Sequence, residues 1–408
     1  MINWQKYYSC MLFVALSCMS VLLFAVRKTD KSLINPAFIT LALWILFLIA
    51  YSVIDLGLYG LSDNFYWILL LWNGMFSLGY FVVYVIPVNR FYHLHREPIH
   101  FLYSKWVPVF FSIFLVISLF FRLKEALSFD PHNLFSAVRI ISLARSEGEI
   151  ESVPMWRLLC NRIASISYLI WFFYQWNNIK VRNIYVFKLL AIISLLFTAN
   201  KFYLTKFLVG VVIIMGYKKK LKISSIIGFI IVVFAVFIII QIMRKSDSSE
   251  FDFIRFICSY IFAPLTAFDS YILQSNSLIS LSSTDFGGHT FAALFDTNIP
   301  PNPEYFENGN FVYVPTPTNV FTVLSAYFID WQWAGILWAG LFFGVFFSYI
   351  YQRSKVQDAY KLLYASLAYV LVLQFFFDFL ITRQIWSNIK VIIILFFVFY
   401  PPIIYDKQ

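Results

Sequence analysis

His289 stands in the segment FGGHTF, behind two glycines that let the backbone turn sharply and approach a ligand closely. An imidazole that is neutral near pH 7 suits a general base for a hydroxyl group, though a loop histidine capping a turn has the same surroundings. Asp330 lies further on in NVFTVLSAYFIDWQWAG, where Asn319, Thr322 and Asp330 punctuate an aromatic, apolar run. A carboxylate there is costly unless it is paired or near water, or unless it caps a helix end. Arginine is the second chemistry-bearing type. Arg139 and Arg145 are six apart, Arg244 and Arg255 bracket the start of the longest polar region, and Arg383 falls between two apolar runs. Guanidinium groups grip phosphate oxygens two at a time, so a cluster of them suits a diphosphate. Local pairing is the alternative, since Glu147 and Glu149 follow Arg145 and Asp252 precedes Arg255 at helical spacing. In TANKFYLTK, Lys201 is placed to reach a phosphate, and Lys206 reads as a side chain snorkelling to the surface.

Other chemistries lack their motifs. There is no phosphate-cradling glycine loop and no nucleophile elbow. His93, His95 and His100 are close together, but beside Arg90 and Arg96 they read as a basic, headgroup-facing loop, with no metal site. Cys10, Cys18, Cys160 and Cys258 lie in or beside apolar segments without ligand spacing and read as packing residues.

The elements that must position these groups are membrane spans. Of the 408 residues 61% are apolar and 13% charged, too few polar residues to clothe a soluble domain. Apolar runs recur at roughly 8–26, 34–58, 65–87, 104–121, 158–177, 183–199, 202–217, 223–243, 334–351, 362–381 and 388–405. The expectation is an all-α, polytopic membrane protein of about eleven spans, with 1–408 as a single membrane domain. The first run carries Arg27, Lys28 and Lys31 behind it, which marks a retained span and not a cleaved signal. The net charge of +10 would raise nucleic acid as a partner, but the basic residues cluster in alternate short loops. The positive-inside rule then places the N-terminus outside and the C-terminus inside, and argues against nucleic acid.

That orientation leaves two long outer loops, at 122–157 and 244–333. The second opens on a stretch, about 251–273, in which Asp252, Arg255 and Ser259 share one face of an otherwise apolar rod. Such a helix lies in the membrane interface or folds back, re-entrant, against the bundle.

The order of landmarks in the later loop resembles one family. YIFAPLTAFDSYI, then FGGHTFAALF, then PTNVFTVLSAYFIDWQWAGI feeding a glycine-rich span is similar to the O-antigen polymerases, which join oligosaccharide repeat units of bacterial surface polysaccharides. The likeness covers about 200 to 340, the N-terminal half matching only in layout, and Lys201 stands where relatives are expected to carry arginine. The resemblance implies a glycosyltransferase at the periplasmic face of the bacterial inner membrane. Its donor and acceptor would be undecaprenyl-diphosphate-linked glycans, with no cofactor and with a separate chain-length regulator as partner. His289 or Asp330 would serve as base. Arg139, Arg145, Lys201, Arg244, Arg255, Asn319 and Arg383 would hold diphosphate or substrate. An O-antigen ligase shares the donor and is close in sequence; a lipid-linked oligosaccharide flippase or transporter is the competitor of another class. A third, an enzyme with a monosaccharide donor, would want an acidic pair in the first outer loop, which holds only Asp63.

Overall fold

In a computed structural model the structure describes residues 10–54, 57–86, 97–146, 153–181, 183–197, 201–219, 221, 228, 261–275, 287–295, 312–315, 317–318 and 320–401. In chain order the helices are α1 (Cys10–Thr29), α2 (Pro36–Val53), α3 (Asp63–Val85), α4 (Trp106–Phe129), α5 (Leu134–Ser146), α6 (Met155–Ser165), α7 (Ser167–Asn177), α8 (Ile184–Phe197), α9 (Lys201–Tyr217) and α10 (Ala263–Ser275). After them come α11 (Ala292–Phe295), α12 (Leu324–Ser354), α13 (Asp358–Leu367), α14 (Tyr369–Val372) and α15 (Ile385–Ile393). Two short strands, β1 (Val312–Tyr313) and β2 (Pro317–Thr318), pair antiparallel with Val312 opposite Thr318. Among the described residues, five helices are long and apolar enough to cross a membrane: α1, α2, α3, α4 and α12. The chain is therefore a mostly helical membrane protein.

It divides into two compact units, one of Met1–His93 with Asp252–Ile393 and the other of Leu94–Phe251 with Ile394–Gln408. In the first, local chemistry fixes the helix starts. Asn35 caps α2 by accepting from the Ala37 and Phe38 N–H groups, with Pro36 at the first helical position. Ser62 caps α3 through the Phe65 N–H. The tightest packing is α3 against α12, and glycine makes it possible. A Cβ on Gly344 would lie 2.2 Å from the Phe76 carbonyl oxygen, and one on Gly79 would lie 2.7 Å from both Leu341 O and Val345 N. Small residues four apart let two backbones touch, as Gly340 and Gly344 do here.

One end of this unit is basic. Asp30 accepts from Lys355 at 2.9 Å and from the Tyr351 hydroxyl at 2.8 Å, and Tyr364 donates to the Ile34 carbonyl at 2.7 Å. These contacts gather Arg27, Lys28, Lys31, Arg353, Lys355 and Lys361 at that end. At the other end Asp269 of α10 accepts from the Ser62 N–H at 2.8 Å and from the Ser62 hydroxyl, pinning α10 to the start of α3.

α12 is broken. Gln332 has φ 54° and ψ −136°, a conformation L side chains rarely adopt, and a Cβ on Gly335 would lie 2.0 Å from the Tyr327 carbonyl oxygen. Residues eight apart on a straight helix are separated by about 12 Å. The chain therefore reverses at Gln332. Residues 324–331 form a short helix folded back on the long one, which runs from about 333 to Ser354. The short helix is buried on every side at its start: Leu324, Ser325, Ala326, Tyr327 and Phe328 are all at most 3% exposed. The Tyr327 ring stacks on Trp72, nine residues into α3 and so about 14 Å from its start. Residues 320–331 of the 244–333 region thus pack inside the unit, as does α10, the described part of the 251–273 stretch: Ala263, Leu265, Thr266, Ala267, Phe268 and Asp269 are all at most 2% exposed. Asp252, Arg255 and Ser259 lie outside the described residues.

A second interruption corrects the expected span at 362–381. Helix ends at Val372, and residues 373–384 are irregular yet largely buried. Irregular backbone survives at such depth only where side chains satisfy it. Asp378 accepts from the N–H groups of Leu380 (2.7 Å), Ile381 (3.3 Å) and Thr382 (3.0 Å), and Asn388 donates to the carbonyls of Phe379 (2.8 Å) and Leu380 (3.0 Å).

In the second unit, the expected loop at 122–157 is mostly helical. α4 runs two turns beyond its apolar stretch, α5 occupies 134–146, and α6 begins at Met155. The span expected at 158–177 is α6 and α7, jointed at Ile166. The described part of α8 ends at Phe197 and that of α9 begins at Lys201; the break expected at Asn200 lies outside the described residues. The Lys218 ammonium donates to the Gln175 carbonyl and, at 2.7 Å, to Asn178, so the ends of α7 and α9 share a basic end. The Phe135 and Phe197 rings, 5.1 Å apart, bring the start of α5 to the end of α8.

Candidate functional site

Two of the predicted residues come together. The Asp330 carboxylate accepts the backbone N–H groups of His289 at 3.2 Å and Thr290 at 2.7 Å. Its position follows from the fold: it lies on the last turn of the short helix of α12, just before the reversal at Gln332, and is 6% exposed. The backbone of 287–291 makes a turn, with Gly287 at φ +77° and the Phe291 N–H on the Gly287 carbonyl at 3.0 Å. A Cβ on Gly287 would lie 3.1 Å from the Trp331 ring, so this glycine is needed both for its conformation and for its close approach. Phe291 meets Trp331 edge-on at 6.0 Å. The turn that carries His289 is therefore held from one side by a carboxylate and from the other by an indole.

Beneath this corner is a closed polar network. The Gln374 carbonyl oxygen accepts from the indole N–H groups of Trp44 (3.0 Å) and Trp72 (3.1 Å), its amide donates to Thr40 (3.1 Å), and its backbone carbonyl accepts the Val323 N–H (2.7 Å). Tyr327 donates to Asp378 at 2.7 Å, and Thr382 donates to the same carboxylate at 2.8 Å. Gln374 and Asp378 thus tie the two interrupted segments, 320–331 and 373–384, to each other and to α2 and α3.

Arg383 follows Thr382. It is exposed, with its guanidinium 4.4 Å above the Phe377 ring. α15 begins two residues later and packs against α11, which follows the His289 turn. Arg139 and Arg145 both lie on α5. Lys201 is the first residue of α9. Arg244, Arg255 and Asn319 lie outside the described residues. Lys206 does not snorkel: it is 3% exposed, with its ammonium 5.1 Å from the Tyr168 ring.

Sequence reasoning missed Gln374, Asp378 and Asn388, although polar residues inside an apolar run were the available signal. It also passed over Arg122 and Arg157, which sit where apolar runs end and read as ordinary anchors. Compared with protein-family models, with curated proteins and with solved structures, the chain gives no match.

Proposed function

We propose that the chain is a glycosyltransferase of the bacterial inner membrane that polymerises undecaprenyl-diphosphate-linked oligosaccharide repeat units at the periplasmic face, an O-antigen polymerase. The observation that carries it is the Asp330–His289 corner. The glycine turn that carries the His289 side chain is fixed through its backbone N–H groups by a buried carboxylate, at the end of its unit opposite the basic one. With the basic end cytoplasmic, the corner faces the periplasm.

In this reading His289 accepts the proton of the acceptor hydroxyl. The freed oxygen bonds to the anomeric carbon of the donor sugar, and the bond from that carbon to the diphosphate oxygen breaks. The diphosphate leaves with the bonding pair, and cationic groups, Arg383 among them, stabilise its developing charge. Asp330 spends its oxygens on backbone N–H groups, so it positions His289 and is not itself the base.

Deleting the gene in its native host should collapse the surface-glycan ladder to a single repeat unit. His289→Ala should lower polymer by at least about 100-fold at normal membrane levels, the usual worth of a general base. A full ladder in the deletion strain would sink the proposal, and loss of even the single unit would point to a ligase or flippase.

One observation favours transport as the second reading. Two interrupted segments meet inside the bundle, as the broken helices of many transporters do. Accumulation of unflipped lipid-linked repeat units in the deletion strain would select it.

A further inference from the structure

α10, which is not one of the five spanning helices, is docked by two polar side chains. Asp269 spends both its oxygens on one residue: Oδ2 accepts the Ser62 N–H at 2.8 Å, and Oδ1 accepts the Ser62 hydroxyl. Ser62 is itself the cap of α3, its hydroxyl oxygen accepting the Phe65 N–H at 3.3 Å. One turn back along α10, the Thr266 hydroxyl meets that of Tyr51 at 3.3 Å, and Tyr51 also donates to the Tyr59 carbonyl. The apolar side of α10 leads to the candidate site. Phe268 lies between Phe65 of α3 and Phe328 of the short helix, with ring centroids 6.2 Å and 5.7 Å away, and Tyr271 meets Phe328 edge-on at 6.4 Å. Phe328 is two residues before Asp330, whose carboxylate holds the His289 turn.

Asp269 is 2% exposed, and no cation among the described residues pairs with it. The helices α2, α3 and α10, the strand β2 and the short helix contain no Lys, Arg or His. Their titratable groups at this end are Asp63 and Tyr66 of α3, Tyr51 of α2, Tyr271 of α10, and Tyr327 and Asp330 of the short helix. The ionised Asp269 therefore buries a charge that nothing neutralises. In the neutral form Oδ1 bears the proton and donates it to the Ser62 hydroxyl oxygen, which keeps a second lone pair for the Phe65 N–H, while Oδ2 still accepts from the Ser62 N–H. The joint survives and the cost of the buried charge is gone. Burial accordingly outweighs the two Ser62 bonds and pushes the Asp269 carboxyl up to about 6. A carboxyl raised in the folded state contributes stability that is fully present below its unfolded pKa, about 4, and lost as pH rises through the folded one.

We propose that Asp269 is a proton-operated latch, which in its neutral form clamps α10 to the start of α3 and, through α10, steadies the short helix that carries Asp330. It is a positioning residue for the candidate site, and acid tightens it.

The test is hydrogen exchange of the purified full-length protein in neutral detergent, corrected for the pH dependence of the intrinsic rate. Between pH 7.5 and pH 5 the protection of the α10 amides should rise about tenfold in the wild type. The N–H groups of His289 and Thr290 should follow. Asp269→Asn keeps one acceptor and one donor for Ser62 but cannot titrate, so its α10 protection should be high at both pH values. It retains the titration of Asp330, so the difference from wild type isolates Asp269. In thermal unfolding the variant should exceed the wild type by about 3 °C at pH 7.5, and the two should converge on acidification. Unchanged α10 protection in the wild type, which needs no variant to fold, overturns the latch, and so does a parallel rise in Asp269→Asn. A rise confined to α10, with His289 and Thr290 unmoved, overturns its link to the site. None of these readouts depends on polymer formation, so the latch and the glycan reading fail separately.

Discussion

Both units bury polar side chains, but they do so in opposite ways. Around Gln374 and Asp378 nearly every donor meets an acceptor: two indoles, a tyrosine, two hydroxyls and a run of backbone N–H groups close on one amide and one carboxylate. At Arg157 in the second unit one donor is met and another is not: Nη1 donates to Glu125, while the Nε–H is buried without an acceptor. A network closed on itself serves architecture, because the loss of one member strands several others. A donor left open carries a standing cost and holds nothing else in place. The difference separates residues whose loss should unfold the protein from residues whose loss should be felt little.

The contrast breaks first where it is most extreme. Asp378→Ala leaves Tyr327, Thr382 and several backbone N–H groups without their acceptor, and should cost on the order of 3 kcal/mol, read as a large fall in unfolding midpoint or loss of folded protein. Gln374→Leu keeps the volume but strands the Trp44 and Trp72 N–H groups, and should cost about 2 kcal/mol in the same assay.

A pair at the water-facing end is weaker. Lys355→Met removes one partner of Asp30, and because that lysine is partly exposed the loss should be under about 1 kcal/mol. Burial alone would raise the Asp30 carboxyl, but the Ser32 N–H, Lys355 and Tyr351 outweigh it and hold it below its usual range. A carboxyl depressed in the folded state contributes stability that is present above its unfolded pKa and lost as pH falls through the folded one. Wild type and Lys355→Met should therefore differ at pH 7 and converge below about pH 4. Smallest of all is Arg122→Gln, at a half-buried position that takes part in no ion pair among the described residues, with an expected change within about 0.5 kcal/mol. A loss as large as that of Asp378→Ala would erase the contrast between the two regions.

Much of the scaffold was legible in the sequence because hydropathy reports burial in lipid. The run at 334–351 begins where the long helix of α12 begins, and the run at 65–87 is α3. Hydropathy does not report backbone shape. LQFFFDFLIT is as apolar as a helix, and only the side chains of Asp378 and Asn388, which satisfy the irregular backbone from within, make the break tolerable. Within the loop expected at 122–157, hydropathy gave no sign of α5, a helix too short and too polar to read as a span. At the site, His289 and Asp330 were each recognisable by type. Their partnership was not, because it runs through the backbone N–H of His289, which no pattern of side chains encodes.

The glycine seam between α3 and α12 has a consequence for where this unit can open. At Gly79, Gly340 and Gly344 the two helices touch main chain to main chain, with no side chain between them that could swing aside. Such a joint has no hinge and no flap. A polyprenyl chain, the substrate of the proposed function, would have to enter along some other wall of this unit, with the seam as its fixed doorpost.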